Sequence, residues 1–369
     1  MASQKTLHKS PERAHKSPRK ALESEEKRGS PMDGSAHYTQ ANLHVYLLRC
    51  LAGMSKDFGI DPTRLCMGLG FDTADLSNPE CRVSFRQASS MIRRALEMTK
   101  GRERGLGLDI GCNETIGSIG LVGYAMLTSP TLGEAINLGI KMQNHAGTLL
   151  LLDRVDSPSH ISIRASNFFH EPDLQTFLVE ETFGTFLNLV RTLVGDAFNP
   201  SSIDLTYSKP SYSAQYDHVF KCPVRYEQKD NLFTCEAHWA DRPIATYDPL
   251  SHRQALDFLQ MSVTRQSAES EFIESIERIV RRDLRQPPAL ATVATQLCMS
   301  DRTLRRRLAD QGRTYQNVLD TIRKQRALAL LSNSRLTIEE IAYEVGFSDA
   351  HNFRRAFKRW TGHGPRQAH

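Results

Sequence analysis

Four arginines crowd into six positions at Arg302, Arg305, Arg306 and Arg307, within the run MSDRTLRRRLADQG. On a helix, Leu304 and Leu308 share one face at i and i+4, and Arg302, Arg305 and Arg306 occupy the other, with Arg307 at its edge. A second run near the C-terminus, SDAHNFRRAFKRW, has the same design. There Phe353, Ala356, Phe357 and Trp360 lie on one face, His351, Arg354 and Arg355 on the other, and Lys358 and Arg359 extend the positive charge. A guanidinium is a planar fork of donors that fits phosphate oxygens and the major-groove edge of guanine. Such faces suit contact with a polyanion.

The flanking residues supply what is needed to hold these faces in place. Leu290, Val293, Ala294 and Leu297 predict a short helix, Cys298-Met299 a tight turn, and Ser300 the cap of the Arg-rich helix, which Gly312 ends. Thr314 caps a predicted helix over Tyr315–Leu331. Then the pattern repeats: Thr337 caps Ile338–Val345, with Ile341 and Ala342 inward, and Gly346-Phe347 turns the chain. Ser348 is expected to cap Asp349–Trp360, which Gly362 closes. Each half reads as a helix-turn-helix. The joining helix of about 17 residues spans ~25 Å at 1.5 Å per residue. That length lets one polypeptide address two successive major-groove segments of double-stranded DNA.

The run IEEIAYEVGFSDAHNFRRAFKRWTGHGP resembles the signature of the AraC/XylS family of bacterial transcription regulators. Ile341, Ala342, Val345, Gly346, Phe347, Phe353, Arg355, Phe357, Lys358, Gly362 and Pro365 carry the likeness, and MSDRTLRRRLADQG and IRKQRALALL resemble the family's first unit and linker helix. The resemblance implies a sequence-specific DNA-binding regulator, an activator as is common in the family, with RNA polymerase as a partner. It places Ser300, Arg302, Arg305 and Arg306 at the first groove segment and Ser348, His351, Asn352, Arg354 and Arg355 at the second. Leu304, Leu308, Ile341, Ala342, Gly346, Phe347, Phe353 and Phe357 then form the framework of the domain. One departure stands out: the sequence stops four residues past Pro365, before the aromatic–Arg pair that commonly ends the motif. The last short helix and its phosphate contact are therefore expected to be incomplete. More loosely, GLVGYAMLTSPTLGEAI and YDHVFKCPVRYEQKDNLFTCEAHWADRPI resemble an arabinose-binding-like N-terminal domain. That likeness implies a regulatory domain responsive to a small-molecule effector, without naming the effector or its pocket.

Charge is distributed to match. Over 285–369, 15 Lys/Arg stand against 7 Asp/Glu, a balance of +8, whereas 32–284 carries −7 within a chain of net charge +5. Residues 1–36 are polar, carry HKSP twice (His8–Pro11 and His15–Pro18), and are expected to form a disordered basic tail. Residues 37–250 predict an α+β domain, with a hairpin about Asp156-Ser157-Pro158, a long helix from Asp173 to Val194 and further short strands. Residues 251–269 read as a polar, helix-prone linker, and 270–369 as an all-α DNA-binding domain. The GLGLDIG run does not fit the dinucleotide-loop spacing GxGxxG. Seven cysteines without CxxC spacing suggest buried free thiols, not a disulfide or metal framework. His145, His160 and His238 have no evident catalytic partners, and neither a carboxylate pair nor HExxH is visible. No cofactor, no metal and no enzymatic activity are expected. Lacking an apolar signal or membrane span, the chain is expected in the cytoplasm on the nucleoid. A homodimer is compatible with the sequence. Two alternatives stay open: an effector-independent regulator whose first domain serves dimerisation or polymerase contact, and an enzyme with a DNA-binding tail.

Overall fold

A computed structural model describes residues 38–100, 104–264, 270–333 and 336–365. The expected basic tail and the phosphate contact beyond Pro365 lie outside the described residues.

The N-terminal domain opens with β1 (Leu43–His44), α1 (Tyr46–Ser55), α2 (Thr63–Cys66), β2 (Arg82–Val83) and α3 (Phe85–Thr99). β1 and β2 pair antiparallel, and α1 turns Leu47, Leu48 and Leu51 into the core. Ser84 and Gln87 form a reciprocal capping box at the start of α3. Next come α4 (Leu106–Asn113), α5 (Gly120–Leu127), α6 (Leu132–Lys141) and α7 (Gln143–Ala146). Thr131 caps α6 by accepting from the Glu134 backbone N–H at 3.3 Å. A five-stranded sheet is built from β3 (Leu150–Asp156), β4 (His160–Asn167), β5 (Ser202–Asp204), β6 (Val224–Arg225) and β7 (Asn231–Glu236) in the order β3-β4-β7-β5-β6. All its pairings are antiparallel except β5 with β6. Helix α8 (Gln175–Val194) covers the sheet, and the rings of Phe183 and Phe186 meet Phe233 edge-on. Helix α9 (Ala214–Phe220) adds Tyr216 and Phe220 to the same core.

The glycines of GLGLDIG serve a helix crossing. A Cβ on Gly111 would stand 2.3 Å from the Glu181 carbonyl oxygen, and one on Gly107 2.4 Å from that of Phe177. Only glycine lets α4 lie this close against α8.

The stretch read as a linker differs from expectation. As far as Thr264 it belongs to α10 (Pro249–Thr264), with Ala255 and Leu259 buried in the N-terminal core. Ala255 and Leu259, at i and i+4, dock the helix, while Leu250, Phe258 and Met261 stay exposed.

The C-terminal region is all helical: α11 (Glu271–Arg281), α12 (Leu290–Gln296), α13 (Asp301–Asp310), α14 (Tyr315–Asn333), α15 (Ile338–Glu344) and α16 (Ala350–Thr361). It has two cores. Residues of α11, α12 and α13 pack with Val318, Leu319 and Ile322, whereas α15 and α16 pack with Ala327 and Leu331. Helix α14 thus belongs to both, with its first half in one core and its second half in the other. Among the described residues no helix is long and apolar enough to cross a membrane.

Candidate nucleic-acid interface

The two cores present the same turn. After α12, Cys298 adopts φ 53°, and the Met299 N–H reaches back to the Ala294 carbonyl at 2.9 Å. After α15, Gly346 adopts φ 77°, and the Phe347 N–H reaches the Ala342 carbonyl at 2.9 Å. Both close their helix with a left-handed residue followed by a long back-bond. Gly346 takes this conformation freely, whereas Cys298 does so against the Cβ penalty. The thiol of Cys298 is also exposed, unlike the buried state expected for the cysteines, because it sits on a turn.

The caps diverge. Ser300 caps α13, its Oγ accepting from the Thr303 N–H at 3.2 Å, as expected. Ser348 does not cap α16. That place is held by Asp349, whose carboxylate accepts from the Asn352 N–H at 2.8 Å. The second turn is one residue longer before its helix begins, which moves the capping side chain on by one. Accepting this bond holds the Asp349 carboxyl below its ordinary pKa.

Leu304 and Leu308 are buried, as are Ile341, Ala342, Phe353 and Phe357. Phe347 is half-buried against Phe353 and Trp360, with the Arg323 guanidinium over its ring at 4.6 Å. On the outer face of α13, Arg302, Arg305 and Arg306 are exposed. Asp301 and Asp310 stand four positions from Arg305 and Arg306, yet among the described residues no ion pair forms between them. Arg307 turns away and lies over the Phe272 ring at 4.6 Å. On α16, His351 and Arg355 are exposed, while Asn352 donates to Asp349 at 2.7 Å and Arg354 pairs with Glu339 at 3.0 Å. Arg359 is tied to Asp320 of α14 at 2.9 Å. The outer face of α13 therefore carries three guanidiniums without ion pairs among the described residues, whereas on α16 Arg354 and Arg359 are paired and Arg355 is not.

The family described as the arabinose-binding domain of AraC transcription regulators, N-terminal, matches residues 59–244, and a helix-turn-helix domain family matches residues 293–368. The chain is 30% identical over 293 residues to the HTH-type transcriptional regulator VqsM of Pseudomonas aeruginosa, covering 72% of this chain and 83% of the relative. The chain belongs to the AraC family of transcription regulators. The ornithine utilization regulator of the same organism is 27% identical over 329 residues, covering 89% of this chain and 96% of the relative. Among solved structures, the transcriptional regulator CdpR from P. aeruginosa is 26% identical, with a TM-score of 0.40, over 75% of this chain and 90% of that one. This AraC-family chain is a DNA-binding transcription regulator with an N-terminal α+β domain and a C-terminal helix-turn-helix domain.

Sequence reasoning missed how the regulator's two domains meet. Helix α11 is docked on the N-terminal domain almost along its length. Its Glu271 is 4% exposed and is bonded by the Ser84 hydroxyl and by Arg86 Nε, the latter at 2.6 Å. Arg278 donates to the carbonyls of Gly70 at 2.6 Å and Arg82 at 2.7 Å. Arg282 reaches Asp75 at 2.6 Å and Asp72 at 2.8 Å. The partners of this helix lie about 200 positions earlier in the chain, beyond the reach of any local pattern.

Also missed was a cavity inside the N-terminal domain, between α1, α5, α6, α8 and the sheet. It is a small cavity of ≈ 80 Å³ that opens to solvent at its mouth. Leu47, Val122, Met126, Ile136, Phe186 and Leu189 line it, together with the carboxyls of Glu114 and Glu181. No carboxylate pair was evident in sequence because the two lie on separate elements. Burial raises the pKa of both, and the proximity of Glu114 raises Glu181 further.

Proposed function

We propose that this regulator grips two successive major-groove segments, with α13 in one and α16 in the other, as a double helix-turn-helix. Helix α14, of 19 residues, spans ~28 Å, which suits recognition helices about one duplex turn of ~34 Å apart. The observation that supports this reading is the set of unpaired guanidiniums of Arg302, Arg305 and Arg306, projected from a helix whose other face is locked by Leu304 and Leu308. Arg355, His351 and Asn352 do the same from α16, with Arg354 available once its pair with Glu339 opens. Phosphate contacts set affinity, and base contacts set sequence preference. The N-terminal domain, which continues through α10, senses a small molecule, the region from residue 270 onward binds DNA, and the output is activation with RNA polymerase as partner. The cavity and the docked α11 support this division of labour. One observation favours a second reading, in which the first domain serves dimerisation. Its edge strand β3 exposes Leu151 and Val155, apolar side chains that a second copy could cover.

Fluorescence anisotropy on a duplex recovered by genome-wide mapping tests the first reading. Arg306→Ala should weaken specific binding by ~1–3 kcal/mol, roughly 5- to 150-fold, and flatten preference at one base pair. Equal loss on cognate and random duplexes would make Arg306 a phosphate contact instead. Leu304, with no exposed surface, is the structural control. Leu304→Ala should cost ~2–5 kcal/mol of folding stability, which thermal melting separates from the Arg306 effect.

A further inference from the structure

The cavity carries a chemical signature that restricts what can fill it. Among the described residues, every lining group is aliphatic, thioether, aromatic, glycine or threonine except Glu114 and Glu181, and none is Lys, Arg or His. Glu114 is 2% exposed, and its Oε1 has no hydrogen-bond partner. Glu181 receives the hydroxyls of Thr182 at 3.2 Å and Thr185 at 3.3 Å, which leaves its oxygens with further acceptor capacity. From α1, the Cys50 thiol hydrogen-bonds the Glu114 carboxyl, and the Arg49 guanidinium is near enough to favour its charged form, which leaves Oε1 as the open acceptor. Burial pushes the thiol up to about 12, so it stays neutral. Arg49 is engaged by the Ser118 carbonyl at 3.3 Å and the Tyr46 ring at 5.5 Å. Two carboxyls are thus held in an apolar chamber with an acceptor left open and no cation in the wall.

We propose that this cavity binds a primary ammonium compound with a compact aliphatic body, its cation seated between Glu114 and Glu181. The proposal rests on reading the N-terminal domain as the effector-sensing one. An ammonium supplies up to three donors and a counter-charge inside the cavity itself, while the aliphatic body packs on Leu47, Val122, Met126, Ile136, Phe186 and Leu189. An alkyl carboxylate meets like charge, and an alcohol leaves the carboxyl pair uncompensated. Two carboxyls are too few for calcium or magnesium, which take about six oxygen ligands or more. Seating the cation also favours ionised carboxyls, so binding near neutral pH releases protons to the buffer.

The test uses the full chain with n-butylamine, n-pentylamine and n-hexylamine against pentanoate and pentan-1-ol, by thermal shift and titration calorimetry. The amines should raise Tm and bind with proton release, read as a dependence of binding heat on the buffer's ionisation heat. Pentanoate and pentan-1-ol should do neither. Glu114→Gln and Glu181→Gln should each lose roughly tenfold or more in amine affinity while keeping or raising the unliganded Tm. The proposal falls if none of the amines binds, if pentanoate or pentan-1-ol binds as well, or if both variants bind amine like the parent. The comparison of amine with carboxylate needs no variant, so a folding defect in either one leaves the test intact. Duplex binding is measured on the same preparation without ligand. Sequence-preferring duplex binding beside a null amine result overturns this inference alone, whereas loss of duplex preference overturns the regulatory reading whatever the amines do.

Discussion

Gly70 is the sharpest point of contact between the two domains. It adopts φ +83°, where an L-residue pays ~1–2 kcal/mol. A Cβ there would stand 2.2 Å from Ser275 Oγ and 2.6 Å from Ser275 Cβ. Ser275 cannot swing aside cheaply: its hydroxyl donates to the Glu271 carbonyl at 2.6 Å and accepts from Gln87 Nε2 at 3.2 Å. Overpacking at such a site costs ~1–3 kcal/mol, so Gly70→Ala should destabilise the docked state by about 2–5 kcal/mol in total. The N-terminal core and the two C-terminal cores are untouched, so the expected consequence is release of α11 and not loss of either fold. Urea unfolding should split from one transition towards two, and limited proteolysis should speed up between the domains. Ser275→Gly in the same background removes both clashing atoms and should recover the steric part, leaving the backbone strain and a helix penalty of roughly 0.5–1 kcal/mol. A double-mutant cycle therefore predicts a coupling of about 1–3 kcal/mol. Strict additivity of the two substitutions, with coupling below about 0.5 kcal/mol, would refute the contact and with it the docked arrangement.

Three further outcomes follow from the same structure. Glu339 is two-thirds exposed, so its pair with Arg354 is worth only ~0–1 kcal/mol; Glu339→Gln should leave Tm nearly unchanged and tighten duplex binding up to about fivefold, and an unchanged affinity would mean that Arg354 does not reach DNA. Asp349→Ala should lower the Tm of the C-terminal domain by a few degrees while Ser348→Ala leaves it unmoved, and a reversed order would restore Ser348 as the cap. The folded-state pKa of Glu181 is raised by burial and by Glu114, with Thr182 and Thr185 opposing weakly. Between the ordinary carboxylate range and that raised value the native state binds more protons than the unfolded chain, so stability falls as pH rises through the window. Tm measured from pH 5 to 8 should decline for the parent and be flatter for Glu181→Gln, and a variant that melts lower at the alkaline end would contradict this.

The helices of the C-terminal domain were legible because their information is local. Arg302, Arg305 and Arg306 oppose Leu304 and Leu308 through the helical period alone, and Ser300, Thr314 and Thr337 mark helix starts through bonds reaching three residues ahead. Even there, one cap slipped by a residue. Ser348 and Asp349 are both good caps, and which one serves depends on where the turn releases the chain. The long helix and the hairpin of the first domain were equally local, and the structure differs from expectation mainly in their ends.

What the tertiary structure decided is whatever depends on residues far apart in the chain. The run at 251–264 looked like a linker because polar composition outweighs two inward side chains, and only docking shows that Ala255 and Leu259 are core. The glycines at 107 and 111 acquire a meaning only when α8 crosses them. Glu114 and Glu181 are unremarkable in sequence, and packing makes them a buried pair. Glu271, Arg278 and Arg282 find their partners only where the N-terminal domain packs against them. Periodicity reports which way a side chain points from its own element, whereas burial, pairing and raised pKa values depend on what the rest of the chain places opposite it.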